Sequence, residues 1–336
     1  IGFFKLNSPE VIAQAEWYVR IACGLVIFSY LNAILTGLLT AAGNSRTPFI
    51  VNVAGLGFNV VLDPVLIFGI GPFPELGVSG AAAATVTAQA LVSLLFFKAV
   101  LREKVLFPHL RLWVLVPVKV WREIVRIGVP SAVQNLIYAG ISMILTRLIT
   151  GWGDLAVAAQ RVGSQIESVS WMVGDGFSAA VNAFLGQNYG AKRYDRVRRG
   201  YFCAIAMTAA WGLCTTFLLI GMARPLFSIF LHEEKVMAIG VNYLRIVGLS
   251  QMFMMVEQTS IGAFSGLGRT LYPSIVSVTF TSARIPVAVL LSSVMGLSGI
   301  WWALSISSMV KGCILFVSFV VFLYVFLERK KDEETV

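Results

Sequence analysis

Charge is scarce in this chain. Asp, Glu, Lys and Arg make up 13% of its 336 residues, against about 25% in an ordinary soluble domain, and a water-facing globular surface is thereby excluded. Histidine is nearly absent: His109 and His232 both fall in loops and supply too few soft ligands for a zinc centre. The four cysteines, Cys23, Cys203, Cys214 and Cys313, stand singly inside apolar runs without CxxC spacing. They read as reduced packing residues, not as a disulfide framework or a metal cluster. Alternating segments of about 10 residues, the mark of a transmembrane β-barrel, are missing. So are HExxH, DDxxD, GxSxG and any Cys/His cluster. The chain is therefore expected not to be an enzyme and to hold no resident cofactor.

What is there is oil. Hydrophobic residues make up 57% of the chain and the mean hydropathy is +0.82, which is the composition of a polytopic all-α membrane protein. The net charge of +9 resembles a nucleic-acid signal, but the basic residues cluster in short loops. They are read as the cytoplasmic face of a membrane protein, with no nucleic-acid partner.

Nine apolar runs are expected to span the bilayer: 13–42, 47–70, 78–101, 124–150, 155–189, 201–222, 237–264, 271–295 and 297–326. Alternate connections carry the positive charge: Arg46, then Arg102 to Arg122, then Lys192, Arg193, Arg196, Arg198 and Arg199, then Arg269, then Arg329-Lys330-Lys331. The opposite loops carry Glu75, Asp154, Glu233 and Glu234, with Arg224 and Lys235 as exceptions. The pattern predicts a cytoplasmic C-terminus and residue 1 on the outside. The domain reading is 1–101 as the C-terminal half of an N-lobe, 102–123 as a cytoplasmic inter-lobe link, 124–327 as a C-lobe and 328–336 as a cytoplasmic tail.

Asp63 is the most expensive residue. It lies about 15 residues into a spanning run, or roughly 24 Å of helix, where a carboxylate costs on the order of 2.5 kcal/mol unless protonated, paired or wetted. Asn59 stands four residues earlier on the same helical face, and Asn52 shares that face. Asp63 and Asn59 could take up a proton or hold Na⁺, a hard cation suited to oxygen ligands. Alternatively, Asp63 packs or caps a helix broken by Pro64.

The surrounding stretch recurs about 225 residues later. Gly43 and Pro48 match Gly268 and Pro273, and Gly77-Val78-Ser79-Gly80 matches Gly296-Leu297-Ser298-Gly299. Repeats of this kind are a plan of transporters. The second copy has about 140 residues of related organisation before it and the first about 40. About three further spans are therefore expected ahead of Ile1.

These words, in this order, resemble the multidrug and toxic compound extrusion (MATE) family. The matching phrases are Gly43-Asn44-Ser45-Arg46-Thr47-Pro48, Asn59-Val60-Val61-Leu62-Asp63-Pro64, Gly77-Val78-Ser79-Gly80-Ala81-Ala82 and Gly128-Val129-Pro130-Ser131. Ala158-Ala159-Gln160-Arg161, Gly186-Gln187-Asn188-Tyr189-Gly190-Ala191 and Gly266-Leu267-Gly268-Arg269-Thr270 follow. The resemblance implies a two-lobe helix bundle with a pseudo-twofold repeat, nine transmembrane helices being present of an expected twelve. It also implies a monomeric secondary transporter in the bacterial inner membrane, surrounded by lipid. Such a protein exports small amphipathic or cationic organic substrates by Na⁺ or H⁺ antiport with alternating access.

The resemblance assigns Asp63, Asn59 and Thr85 to a cation and coupling site, Na⁺ at Asp63 and Asn59 being the candidate metal. A further acid of that site belongs to a span not among these residues. Thr85 and Thr87 also admit the plain reading of hydroxyls bonded to their own helix. Glu257, Gln134, Arg284 and Met254 are the expected substrate-cavity residues. Glu257 either binds a cation or pairs structurally with Arg284, which takes the place of Asn59 in the second copy. Arg161 is expected to pair with Glu167 or Asp175. Met252, Phe253, Met255, Trp171, Met172 and Phe177 are candidates for an adaptable wall or for plain packing. A lipid-linked saccharide flippase is the alternative, with Arg147, Arg161 and Arg284 as the cations that would line its cavity.

Overall fold

The computed structural model describes residues 9–102, 117–231 and 233–327. His109, His232, most of the expected link and the tail with Arg329-Lys330-Lys331 lie outside them. The described residues are helical without a strand: α1 Pro9–Gly24, α2 Ile27–Ala41, α3 Arg46–Phe68, α4 Gly77–Arg102, α5 Val118–Thr150, α6 Asp154–Gly190 and α7 Tyr194–Gly221. There follow α8 Ala223–Ser228, α9 Glu234–Gly248, α10 Gln251–Gly266, α11 Leu271–Ser282, α12 Arg284–Met295 and α13 Leu297–Phe322, which runs into a π turn at Leu323–Leu327. Two compact units result, Ile1–Val114 and Leu115–Val336.

Six helical stretches are long and apolar enough to cross a membrane, or eight if two bent pairs each count as one span. The pairs are α1 with α2, bent by 44°, and α9 with α10, bent by 50°. The run 237–264 is therefore not the continuous helix expected. At its bend the carbonyls that lose their helical partners are taken by side chains. Ser305 donates to Ile246 O, Ser250 to Val247 O and Thr216 to Gly248 O, at 2.8, 2.9 and 2.9 Å. A break in a membrane helix is tolerated when neighbouring hydroxyls satisfy the backbone in this way. The fifth expected span, 155–189, is α6, which has 37 residues, about 55 Å. It also carries Asp154, Arg161, Glu167 and Asp175, and it is not among the helices apolar enough to cross a membrane.

Two loops are shorter than the sequence suggested. Helix α5 starts at Val118, directly after Pro117, which has a fixed φ and no N–H to leave unsatisfied; Lys119 and Arg122 are thus helical. Arg196, Arg198 and Arg199 lie in the first turns of α7, because α6 ends abruptly with Lys192 at φ 58° and Asp195 opens the next helix. The continuous run 271–295 breaks at Ala283, where Pro286 has no N–H for the Ser282 carbonyl. On the far loops, Arg224 pairs with Glu234 at 2.8 Å.

The repeat is visible in the backbone of each unit. Helices α2 and α10 end in the same turn: Asn44 N–H bonds Leu39 O and Gly43 N–H bonds Thr40 O. Arg269 N–H likewise bonds Phe264 O, and Gly268 N–H bonds Ser265 O. This is a Schellman ending, with Gly in the left-handed conformation at φ 89° for Gly43 and 70° for Gly268. At the last turn of each copy, Gly77 and Gly296 again have a positive φ, 53° and 63°. A Cβ at Gly80 would collide with the backbone of Leu66, and one at Gly299 with that of Leu291. Leu66 and Leu291 are themselves equivalent positions, so the shared words encode shared contacts. Gly268→Ala is expected to cost about 1 kcal/mol through the left-handed conformation alone, read as a lower melting temperature of the purified protein.

Unit 1 packs α3 on α4 through Gly55, whose missing Cβ makes room for Val92. Leu39, Val51, Val92 and Phe96 form its buried cluster. Unit 2 is built round α10, which packs on α6, α7 and α13. Ten of the sixteen residues of α10 are buried, the signature of a helix enclosed on all sides.

Candidate functional site

In unit 1, α3 continues through Pro64 to Phe68 and ends at left-handed Gly69, so Pro64 does not break it. Asp63 and Asn59 are both half-buried, and Asn59 Nδ2 donates to Asp63 Oδ1 at 3.4 Å. Pro64 has no N–H to give the Val60 carbonyl. One turn of α3 therefore offers a carboxylate, an amide oxygen and a backbone oxygen, hard donors of the kind alkali and proton chemistry use. Asn52 turns instead to Thr36 on α2, at 3.4 Å. Thr85 and Thr87 donate to Ala81 O and Ala83 O of their own helix, at 3.0 and 2.7 Å. No hydrogen bond joins Thr85 to Asp63 among the described residues.

Unit 1 also buries a polar cluster that the sequence reading passed over. Asn32 on α2 donates to the backbone and side-chain oxygens of Gln89 on α4, at 2.9 and 2.8 Å, and Ser93 donates to Asn32 Oδ1 at 2.8 Å.

Unit 2 contains a cavity of about 550 Å³ between α5, α6, α9, α10, α11, α12 and α13. Gln134, Met254, Glu257 and Arg284, scattered over 150 residues, all line it. Glu167 and Asp175 from α6 and Lys311 from α13 line it as well. Tyr138 and Trp171 face it with their rings 5.9 Å apart. Of the other candidates for the wall, Met255 is wholly buried in packing and Met172 is 70% exposed, neither lining the cavity.

The pairing of charges differs from what the sequence suggested. Glu257 does not pair with Arg284. Lys311 Nζ meets Glu257 Oε1 at 2.7 Å, with both residues about nine-tenths buried or more. Arg284 donates to Ser307 and Ser308 at 3.1 and 3.0 Å. The reason is register: Glu257 on α10 faces α13, and Arg284 at the start of α12 faces the hydroxyls of α13 one turn away. Lys311 is the only charged residue of α13. The reasoning that singles out Asp63, a charge deep in an apolar run, singles out Lys311 equally. Arg161 is exposed, and no ion pair joins it to Glu167 or Asp175 among the described residues. Asp175 accepts from Gln258 at 3.3 Å.

Glu167 ties the bend together. Tyr243 on α9 donates to its Oε2 at 3.0 Å and Gln251 on α10 to its Oε1 at 3.1 Å. One cavity carboxylate thus grips both sides of the 50° break. The backbones of α6 and α10 touch about three turns further along, since Cβ atoms at Gly262 and Gly266 would strike the carbonyls of Ser178 and Asn182. Such small-xxx-small contacts bring membrane helices together.

A helical chain with these turns and this cavity has known counterparts. The MatE family model matches residues 1–65 and 130–290. The chain belongs to the MatE family. It is 31% identical over 316 residues to a probable multidrug resistance protein NorM of Thermotoga maritima, an alignment covering 90% of this chain and 65% of that one. It is 26% identical over 280 residues to an FAD transporter of Shewanella oneidensis, covering 82% and 61%. This MatE chain thus spans less than two thirds of the length of these curated relatives. In fold it is similar to a MOP superfamily transporter from Pyrococcus furiosus, with a TM-score of 0.88 at 20% identity, covering 96% of this chain and 72% of that one. MatE membership and the apolar helices together make it an integral membrane protein.

Proposed function

We propose that this MatE chain serves a secondary active transporter of the inner membrane, its C-terminus cytoplasmic, which exports organic cations by Na⁺ or H⁺ antiport with alternating access. The observation that carries the reading is the cavity of unit 2. It is enclosed by spanning helices, walled by Tyr138, Trp171 and Met254, and lined by three carboxylates, Glu167, Asp175 and Glu257, against two cations, Arg284 and Lys311. An aromatic, acid-rich pocket inside a membrane suits a flat or greasy cation. Transport needs no covalent step, and cargo and ion are its only small-molecule partners. One copy of the chain supplies the whole of this cavity, in keeping with a monomer.

The lipid-linked saccharide alternative is less well supported. Arg147 and Arg161 do not line the cavity, and the charge of Lys311 is taken by Glu257. Among the described residues, a pyrophosphate headgroup in this cavity would find Arg284 alone.

Asp63, with Asn59 and the Val60 carbonyl beside it, is proposed as the coupling site, and Thr85 as a further hydroxyl of unit 1 available to it. A proton needs only the carboxylate; Na⁺ needs the neighbouring oxygens too. An ion drives transport only if it binds the two facing states unequally. Ethidium efflux from vesicles is the test, with pH and Na⁺ gradients imposed separately. One gradient is expected to drive efflux in the parent, and Asp63→Asn is expected to insert normally and lose coupled efflux. Gradient-driven efflux that persists in Asp63→Asn sinks the assignment of Asp63.

A further inference from the structure

The Glu257–Lys311 pair is not a requirement of the fold. By the repeat, Asn32 of unit 1 stands where unit 2 has Glu257, and Val92 where it has Lys311. There the corresponding contact between α2 and α4 is held by neutral hydrogen bonds, Asn32 donating to Gln89 and accepting from Ser93. Unit 2 has replaced a neutral contact with a carboxylate and an ammonium, and has turned both into a cavity. An ammonium 2.7 Å from that carboxylate occupies the place that the charged group of an organic cation would take.

We propose that Lys311 is the tethered occupant of a cation site at Glu257, and that cargo and proton exchange there one for one. This rests on the reading of the cavity as a cation site and adds a proton carrier separate from Asp63. An entering cation takes the Glu257 carboxylate. Lys311 is then left without a counterion, and a buried ammonium without a counterion sheds its charge. The Nζ–H bond breaks, the electron pair stays on nitrogen, and the proton passes to cavity water. When the cation leaves, Nζ takes a proton back and pairs with Glu257 again. Loading at the inner face and release at the outer face would carry one proton inward for each cation exported.

The charged and titratable groups around Lys311 fit this exchange. Tyr138 on α5, Glu167 and Asp175 on α6, Tyr243 on α9 and Arg284 on α12 face the same cavity. Glu167 is already engaged by Tyr243 and Gln251, and Asp175 by Gln258. Arg284 repels a displaced ammonium. Tyr272, the titratable residue of α11, bonds Ser318, two turns further along α13.

The experiment titrates the protein in lipid nanodiscs with tetraphenylphosphonium, in weak buffer with a pH indicator. In the parent about one proton is expected to be released per cation bound, with affinity rising about tenfold per pH unit, as one-proton linkage requires. Lys311→Arg keeps the pair but cannot surrender its charge. It should bind at least about tenfold more weakly and release no proton. The neutral pair Glu257→Gln/Lys311→Met should melt like the parent and also release none. Parent binding without proton release overturns the exchange and leaves the cavity reading standing, and so does full release from Lys311→Arg. Failure of the parent to bind tetraphenylphosphonium overturns both.

Discussion

Lys311→Met alone is expected to lower stability by about 3–5 kcal/mol, and Glu257→Gln introduced with it to restore most of that loss. The single change leaves a carboxylate with no partner at a site where Glu257 is 6% exposed. Breaking one side of a buried ion pair costs about this much, whereas replacing both members is often neutral. The measurement is a thermal or denaturant unfolding series of the parent, both single variants and the double, analysed as a cycle. A coupling energy near zero would mean that the two charges ignore each other. The cycle also separates stability from transport: a double variant that folds but no longer exchanges protons places the role of the pair in function.

Gly262→Val should be the most damaging of the packing changes. Even an alanine Cβ there would collide with the Ser178 carbonyl, and a Cβ added to Gly266 one turn later would lie 2.5 Å from Asn182 O. Backbone atoms cannot rotate out of the way, so α6 and α10 must separate. Overpacking of this kind costs about 1–3 kcal/mol. Separation also stretches the Asp175–Gln258 bond, 3.3 Å in the parent, and moves Glu167 relative to Gln251. A lower melting temperature is therefore expected together with weaker binding of tetraphenylphosphonium. Gly140→Ala on α5 is the control, because nothing lies within 4 Å of its added Cβ. Equal damage at Gly140 and Gly262 would refute close approach as the cause.

Much of the fold was legible because its signals are local. Gly43 and Gly268 mark their turns through a conformation that glycine adopts freely, and Pro48 and Pro273 mark helix starts. Apolar runs of about 20 residues have one economical conformation in lipid. The GxxxG at Gly262–Gly266 is a local signal as well. The bend of α9 into α10 left no comparable mark. It depends on hydroxyls from Thr216 on α7 and Ser305 on α13 reaching freed carbonyls.

The amino-acid order alone settled that this chain lives in a membrane, where its apolar runs lie, that it repeats itself, and which charges sit too deep to be idle. It did not settle which charges meet. Glu257 and Lys311 are 54 residues apart, and each alone reads as a lone charge in oil. Their encounter depends on how α10 and α13 are rotated against each other, which packing across the whole of unit 2 decides. Deep burial makes a charge conspicuous in a sequence, but only the assembled helices give it a neighbour.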